Sequence, residues 1–122
     1  MARYVLIVLS NPTVGREEDY KRCYLEQHIP DCLRVPGFVS GKLMPAAPQQ
    51  PALQKEKRWN YLTLFEVETD DLASVLADLN RRLNTPEMPI SDAFNFEGFH
   101  FEVFAEPDEK VIGPGTPKSW SA

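Results

Sequence analysis

The order of apolar runs and helical stretches along the chain limits the possible folds more than any other feature. Short apolar runs alternate with turn residues and prolines. We predict four strands, at residues 3–9, 38–44, 58–67 and 98–105. Two helices are predicted to begin at Arg16 and at Asp70 or Asp71, where acidic side chains lie near the positive end of the helix dipole. The order β-α-β-β-α-β predicts an α+β fold with a ferredoxin-like subunit.

The first and third predicted strands are apolar on both faces. In the third strand, Leu62 and Leu64 alternate with Tyr61 and Phe65. Two helices can cover only one face of a four-stranded sheet, so the opposite face needs a cover of its own. A second copy of the same sheet is the simplest cover, and we therefore expect a homodimer.

Length and charge indicate the class of protein. A chain of 122 residues has the length of one domain, and we expect that domain at residues 1–106, followed by a Pro/Gly-rich C-terminal tail at 107–122. The net charge of -5 argues against a nucleic-acid partner, because phosphate binding needs clustered cations. The apolar run from Tyr4 to Leu9 is too short for a bilayer span, and no cleavage site follows it. We therefore predict no membrane association and a cytoplasmic location.

The two cysteines predict neither a disulfide nor a zinc site. If Cys23 and Cys32 lie on one helix, roughly 13 Å of helical rise separates them, which is beyond disulfide reach. The sequence has no CxxC motif, and only His28 and His100 could join the thiols as zinc ligands. Two free thiols suit a reducing compartment. Because phosphate loops and dinucleotide-binding glycine patterns are also absent from the sequence, we predict no cofactor.

Five side chains of the first helix recur at spacings of three and four residues and so share one face: Tyr20, Cys23, Tyr24, Gln27 and His28. Three of them are rings with polar atoms, spread over about 12 Å of the helix. One interpretation is that these rings pack on the sheet with their polar atoms hydrogen-bonded to the backbone. The other is a pocket wall, in which hydroxyl donors and an imidazole that titrates near neutrality transfer protons to a small organic substrate.

This helix face belongs to a longer motif. The segment Tyr20-x-x-x-Tyr24-x-x-x-His28-Ile29-Pro30, followed by Val35-Pro36-Gly37-Phe38, resembles the EthD-like branch of the dimeric α+β barrel superfamily. The resemblance covers residues 3–106 and includes an aromatic third strand ending in Leu64-Phe65-Glu66 and the connector Met88-Pro89-Ile90-Ser91-Asp92. Such sequences often have Trp where this chain has Cys23. That departure implies a larger pocket or a thiol inside it.

The resemblance implies ferredoxin-like subunits whose sheets meet face to face in a dimeric α+β barrel, with a small-molecule cavity between each sheet and its helices. Members of the branch include muconolactone-type isomerases, polyketide cyclases and haem-degrading monooxygenases. Carried onto this chain, the motif makes His28 the leading acid–base candidate. Tyr24 and Tyr20 would then orient the substrate or donate a hydrogen bond to it.

Pro30 is expected to end or kink the first helix just after His28, because its ring removes a backbone N–H and clashes with the preceding turn. At a helix C-terminus the dipole favours the imidazolium form of histidine. We therefore expect His28 to act as a proton donor or to stabilise an oxyanion. A C-capping residue without a catalytic function is the alternative.

His100 lies in the apolar segment Phe99-His100-Phe101, and the sequence does not decide which face of the sheet it occupies. On the helix side it would form an acid–base pair with His28; otherwise it is an interior or interface residue. The catalytic candidates are therefore His28, His100 and Tyr24. The substrate-binding candidates include residues that suit either the core or a cavity wall, and a connector residue that suits either a lid or a surface turn. They are Tyr20, Cys23, Phe38, Met44, Trp59, Tyr61 and Asn95.

These residues predict a cofactor-independent enzyme that uses acid–base side chains on a small hydrophobic or aromatic metabolite, as an isomerase, cyclase or lyase. Two alternatives stay open. One is a haem-linked monooxygenase with His28 or His100 as the axial ligand. The other is a non-enzymatic dimer that binds a small molecule. The fold does not choose among them, since ferredoxin-like subunits carry many unrelated functions.

Overall fold

Four strands form one antiparallel sheet in the order β2-β3-β1-β4, in a computed structural model that describes residues 1–54, 56–106 and 109–120. The strands are β1 (Ala2–Pro12), β2 (Phe38–Pro45), β3 (Tyr61–Thr69) and β4 (Phe94–Ala105). The helical segments are α1 (Glu17–Cys23), a π-helical turn (Tyr24–His28), α2 (Ile29–Cys32), α3 (Leu72–Arg82) and a 3₁₀ turn (Lys118–Trp120). The predicted order β-α-β-β-α-β and the α+β ferredoxin-like fold are confirmed.

The two ends of the predicted tail lie outside the described residues. These are Pro107 and Asp108 at its start and Ser121 and Ala122 at its end. The division into a domain at 1–106 and a tail at 107–122 stays a prediction. In the part of the chain that the structure describes, no helix combines the length and the apolar character needed to cross a membrane.

The first helix does not end at His28, so of the two effects expected of Pro30, an end or a kink, the structure excludes the end. The backbone stays right-handed helical through Ile29 and continues as α2 to Cys32. Pro30 lacks the N–H that would bond to the preceding turn. The turn before it widens to a π-helix, a device that absorbs one residue inside a continuous helix. His28 and Cys32 therefore lie one turn apart on the same helix.

Strand β4 begins at Phe94, four residues earlier than predicted, and contains a large bulge. Leu9 faces His100 and Asn11 faces Asn95, so a two-residue step on β1 is matched by a five-residue step on β4. Gly98 allows this detour because its φ is +70°, a left-handed conformation that suits glycine. The predicted strand at 98–105 was therefore too short at its start.

The helices pack against one face of the sheet, and the side chains of the two faces are buried to different extents. Side chains on the helix side are buried, for example Leu6 and Val8 on β1, and α3 adds Val75 and Leu79 to the same core. On the opposite face no described helix packs, and its apolar side chains are only half-buried. They include Val5, Ile7, Leu9, Leu62 and Leu64. The two-sided apolar character of β1 and β3 is thus present in the subunit, with one face left uncovered.

A close contact beside the first helix gives a test of this packing. A Cβ on Gly41 would lie 2.8 Å from ring atoms of Phe65 and 3.0 Å from a methyl of Ile29. Because both neighbours are buried, we expect Gly41→Ala to lower the free energy of unfolding by about 1–3 kcal/mol in urea denaturation. Gly115→Ala is the matched control, since an added methyl there meets nothing within 4 Å. Equal stability of the two variants would contradict the packing.

Candidate active site

A cavity of about 240 Å³ lies between the first helix, strand β4 and the connector that follows α3. Its wall is aromatic and apolar, with a few polar side chains on the helix side. The lining residues are Val8, Tyr20, Cys23, Tyr24, Gln27, His28, Leu83, Pro89, Ile90, Ser91, Ala93, Phe94, Phe96, Phe99 and Phe101. A small concave site with an apolar wall and a few polar groups is typical of small-molecule binding.

The helix contributes the whole face that the sequence analysis singled out. Tyr20 and Cys23 lie on α1, and Tyr24, Gln27 and His28 lie on the π-helical turn; all five line the cavity. The amide of Gln27 donates a 2.7 Å hydrogen bond to the carbonyl oxygen of Pro89, which attaches the connector to the helix. The spacing of three and four residues therefore brings these side chains into one wall.

The opposite wall consists of phenylalanines that the sequence analysis missed. Phe94, Phe96, Phe99 and Phe101 all come from β4. They follow a spacing of two on each side of Gly98, and the bulge reverses the alternation so that both pairs reach the same side. In the sequence, the phenylalanines change from even to odd positions at Gly98, and this change could have revealed that all four share one face. Phe96 is 56% exposed, so this wall is partly open to solvent.

Hydroxyl groups form a buried cluster behind the cavity. The hydroxyls of Tyr20 and Ser10 share a 2.5 Å hydrogen bond. Burial raises the pKa of Tyr20 well above its ordinary value, and it also raises the pKa of Tyr24, which the Thr63 hydroxyl partly offsets. Both phenols are therefore neutral near neutral pH. Thr63 Oγ1 is buried without a hydrogen bond of good geometry.

His28 is the group in this wall whose ordinary pKa lies nearest neutrality. Its ring packs edge-on against Tyr24, with 5.2 Å between the ring centroids. Nε2 lies 3.6 Å from Sγ of Cys32. Nδ1 has no hydrogen bond to any described residue, and the side chain as a whole is half-buried.

Burial lowers the pKa of His28 below its ordinary value, and the nearby charge of Asp31 opposes this only in part. The expectation of an imidazolium was therefore wrong, for two reasons. The helix end with its dipole lies at Cys32 and not at His28, and a desolvated imidazole favours its neutral form. Near neutral pH, His28 presents a neutral ring to the cavity.

Asp31 does not orient His28. Its carboxylate accepts a hydrogen bond of 3.3 Å from Gln27 and forms an ion pair of 3.6 Å with Arg34. The side chain is buried, and these two partners use its oxygens. The histidine is therefore held by Tyr24 and Cys32.

Of the two positions left open for His100, the one that would pair it with His28 is wrong, and its candidacy as a catalytic residue falls with it. His100 faces Leu9 across the β1–β4 ladder, and Leu9 alternates with the helix-facing Val8 and Ser10. His100 therefore lies on the opposite face of the sheet, about half exposed, with Nε2 3.5 Å from a carboxylate oxygen of Glu102. It takes no part in the cavity.

Five predicted ligand-binding residues do not line the cavity: Phe38, Met44, Trp59, Tyr61 and Asn95. Phe38 and Tyr61 belong to the core, and the Tyr61 hydroxyl donates to a carboxylate oxygen of Glu17 at 2.5 Å. Met44 lies half-buried on β2, and Trp59 precedes β3 and donates to the carbonyl oxygen of Gly98. Asn95 lies in β4, where its side chain accepts from the backbone of Glu97. The alternation of apolar residues in the sequence predicted that side chains in these strands are packed, but it could not show whether they pack in the core or against the cavity.

His28 and Cys23 are the side chains in the wall of a type that commonly binds metals, and they belong to no larger cluster of such residues in the described part of the chain. Across residues 1–54, 56–106 and 109–120, no three His, Cys, Asp or Glu side chains cluster as metal ligands. Both cysteines are free thiols, as predicted; Cys32 is buried, and Cys23 is partly exposed in the cavity wall. The chemistry that this arrangement supports comes from one neutral imidazole, two phenols and a thiol.

Comparison with known proteins identifies similar solved structures. No protein-family model and no curated protein matches the chain. A proposed antibiotic biosynthesis monooxygenase from Nitrosomonas europaea superposes with a TM-score of 0.59 at 14% identity, over 86% of this chain and 90% of that chain. A proposed monooxygenase from Shewanella loihica PV-4 gives 0.53 at 13% identity, over 90% of this chain and 97% of that chain.

A third similar structure is an EthD family protein from Bacillus halodurans C-125. Its TM-score is 0.54 at 17% identity, over 88% of this chain and 100% of that chain. Identities this low establish a shared fold alone. At the level of the fold, the resemblance predicted from the helix motif is confirmed.

The lowered pKa of His28 predicts a pH-dependent stability. Between the folded pKa and the ordinary value of 6.5, the unfolded chain binds a proton at this site that the folded chain does not. The free energy of unfolding therefore falls as the pH falls through 6.5, by about 1.4 kcal/mol for each unit by which the pKa is lowered. When the pH is lowered below 6.5, the free energy of unfolding measured in urea should fall less for His28→Asn than for the wild type.

His100→Asn provides the control for that measurement, because its side chain lies exposed on the opposite face. It should follow the wild-type pH dependence. Identical pH dependence of the wild type and His28→Asn would show that His28 is not desolvated in the folded protein.

Proposed function

We propose that this chain is a cofactor-independent enzyme that performs proton-transfer chemistry on a small hydrophobic or aromatic metabolite, as an isomerase, cyclase or lyase. His28 is the side chain that assists proton transfer, by hydrogen-bonding to an oxygen of the substrate, and the phenylalanines of β4 form the surface that binds the apolar part of the substrate. Tyr20, Tyr24 and Cys23 shape the rest of the pocket.

The observation that carries this proposal is the environment of His28. A neutral imidazole, whose Nδ1 has no hydrogen-bond partner among the described residues, lines a cavity whose opposite wall is phenylalanine. An apolar wall lowers the local dielectric constant and so strengthens a hydrogen bond made against it. A perturbed titratable group in a cleft is a recognised mark of acid–base chemistry. The volume of about 240 Å³ lies below the roughly 300–1,000 Å³ of pockets for drug-sized ligands, which favours a small metabolite.

A monooxygenase is the second candidate, and the names of two structural neighbours favour it. A haem-linked form does not fit the described residues. The cavity is smaller than the roughly 300–1,000 Å³ of typical ligand pockets, whereas haem is a large macrocycle. Nε2 of His28 faces Cys32, and His100 pairs with Glu102 on the other face of the sheet.

Hydrogen–deuterium exchange tests proton transfer without knowledge of the product. Small aryl ketones and unsaturated lactones, incubated with the protein in D₂O, should exchange hydrogens next to the carbonyl faster than in buffer, as followed by proton NMR. His28→Ala should lower the accelerated rate by about 10²-fold or more, the usual contribution of an acid–base side chain. Oxygen uptake, measured in parallel, separates the monooxygenase from the isomerase class.

His100→Ala is the matched control and should keep the wild-type exchange rate, because its ring lies outside the cavity. Binding of these compounds without accelerated exchange or oxygen uptake would favour a non-enzymatic ligand-binding protein. Exchange that is unchanged in His28→Ala would refute the assignment of His28.

We also propose that the enzyme is a homodimer formed through the helix-free face of the sheet. Val5, Ile7 and Leu9 form an apolar row along β1 on this face, and Leu62 and Leu64 extend it onto β3. Phe104, opposite Val5 on β4, is 48% exposed. A second copy would bury this surface, as contiguous exposed apolar patches commonly are.

Ile7→Lys is designed to break the dimer and keep the subunit. Ile7 faces Leu64 on one side and Glu102 on the other, so the new ammonium can pair with a carboxylate in the monomer but would be buried in the dimer. Sedimentation velocity should show a wild-type dimer and a folded Ile7→Lys monomer, with Ala77→Lys on the exposed side of α3 as the control. A wild-type monomer at micromolar concentration would contradict the proposal.

A further inference from the structure

We infer that the thiol of Cys32 donates its hydrogen to Nε2 of His28 and thereby holds the imidazole as the tautomer with hydrogen on Nδ1. This inference rests on the proposed function, since it specifies what His28 offers to a ligand. Cys32 is then a positioning residue: it acts through His28 and does not line the cavity itself.

The geometry places the thiol at one ring nitrogen. Cys32 follows His28 by one helical turn, because the helix continues through Pro30. Its Sγ lies 3.6 Å from Nε2, a normal distance for a hydrogen bond that involves sulfur, and the residue is 2% exposed. His28 is the only side chain in the described ranges that hydrogen-bonds to this sulfur.

The direction of the hydrogen bond follows from the two groups. Burial raises the pKa of the Cys32 thiol to about 12, so the sulfur keeps its hydrogen. A neutral imidazole has one N–H and one nitrogen acceptor. A thiol is both a weak donor and a weak acceptor, so strength alone does not set the direction. N–H donation to sulfur would leave the buried S–H without an acceptor among the described residues, whereas S–H donation to Nε2 pairs it. Nδ1 must then carry the ring hydrogen.

The other neighbours of His28 do not set the tautomer. The Asp31 carboxylate is occupied by Gln27 and Arg34. Tyr24 meets the imidazole through its ring, at an interplanar angle of 87°. The choice of tautomer is therefore left to Cys32.

The consequence is a neutral hydrogen-bond donor in an aromatic cavity. An Nδ1–H group suits a ligand with a carbonyl, enol or enolate oxygen, whose negative charge it stabilises as that charge develops. A neutral imidazole is well matched to this task because its remaining proton is not lost near neutral pH. In this arrangement, His28 polarises an oxygen of the ligand through Nδ1–H and keeps its proton. The hydrogen that leaves the neighbouring carbon passes to solvent water, which reaches the cavity through its partly open wall.

The tautomer can be read directly from the protein without a substrate. In long-range ¹H–¹⁵N correlation spectra recorded above the pKa of His28, wild-type protein should show a protonated Nδ1 and an unprotonated Nε2. Cys32→Ser, which keeps a donor, should preserve this pattern. Cys32→Ala removes the donor, and the Nε2–H form that free histidine prefers should become the major species. Cys23→Ser is the control and should leave the spectrum unchanged.

Two results would overturn the inference. One is a wild-type spectrum with hydrogen on Nε2, which would mean that sulfur accepts. The other is an unchanged Nδ1–H pattern in Cys32→Ala. If Cys32→Ala does not fold, the wild-type spectrum decides alone, because it distinguishes the two directions of the hydrogen bond.

A pair of probes tests the consequence for ligands. Acetophenone and ethylbenzene have similar shapes, but only acetophenone has an oxygen acceptor. Acetophenone should bind several-fold more tightly and shift the Nδ1–H resonance, and this preference should shrink in Cys32→Ala. Equal affinities in the wild type would refute the donor at Nδ1. If the Nδ1–H tautomer and the preference for acetophenone are found but hydrogen exchange is not accelerated, this inference holds and the proposed enzyme is refuted. If exchange is accelerated but the tautomer and the preference are absent, the proposed enzyme holds and this inference is refuted.

Discussion

The hydrogen bond between Tyr20 and Ser10 is the contact on which the site depends. A phenol that is 1% exposed must have its hydroxyl paired, and Ser10 on β1 provides the partner at 2.5 Å. The Tyr20 ring also lies 4.9 Å from the ring of Tyr61 on β3 and 6.4 Å from that of Phe94 on β4. One side chain of α1 thus contacts three neighbouring strands. Its position fixes the helix face that lines the cavity.

The π-helical turn determines the chemistry of that face. It joins α1 to α2 through Pro30, so the helix reaches Cys32 before it ends. This continuity moves the negative end of the helix away from His28 and brings a buried thiol next to Nε2. Both changes favour a neutral imidazole. A helix ended by Pro30 would have placed the histidine at the negative end of the helix dipole, which favours the imidazolium form.

The sequence analysis identified one wall of the cavity and missed the other, for a definite reason. Helical spacing relates Tyr20, Cys23, Tyr24 and His28 by a period that holds over two turns, so their common face could be predicted. The wall formed by the phenylalanines of β4 could not be predicted without the bulge at Gly98, because the bulge reverses which side chains of the strand share a face. His100 was misplaced as a catalytic candidate by the same uncertainty of register.

The sequence alone determined the order of elements, the ferredoxin-like fold, the face of the first helix and the two-sided apolar character of β1 and β3. These follow from local periodicity and turn chemistry, which neighbouring residues decide. The tertiary structure decided the side of the sheet that His100 occupies, the aromatic wall of β4, the passage of the helix through Pro30 and the protonation state of His28. Each of these depends on strand register, burial or a partner distant in sequence, and local pattern carries no information about those.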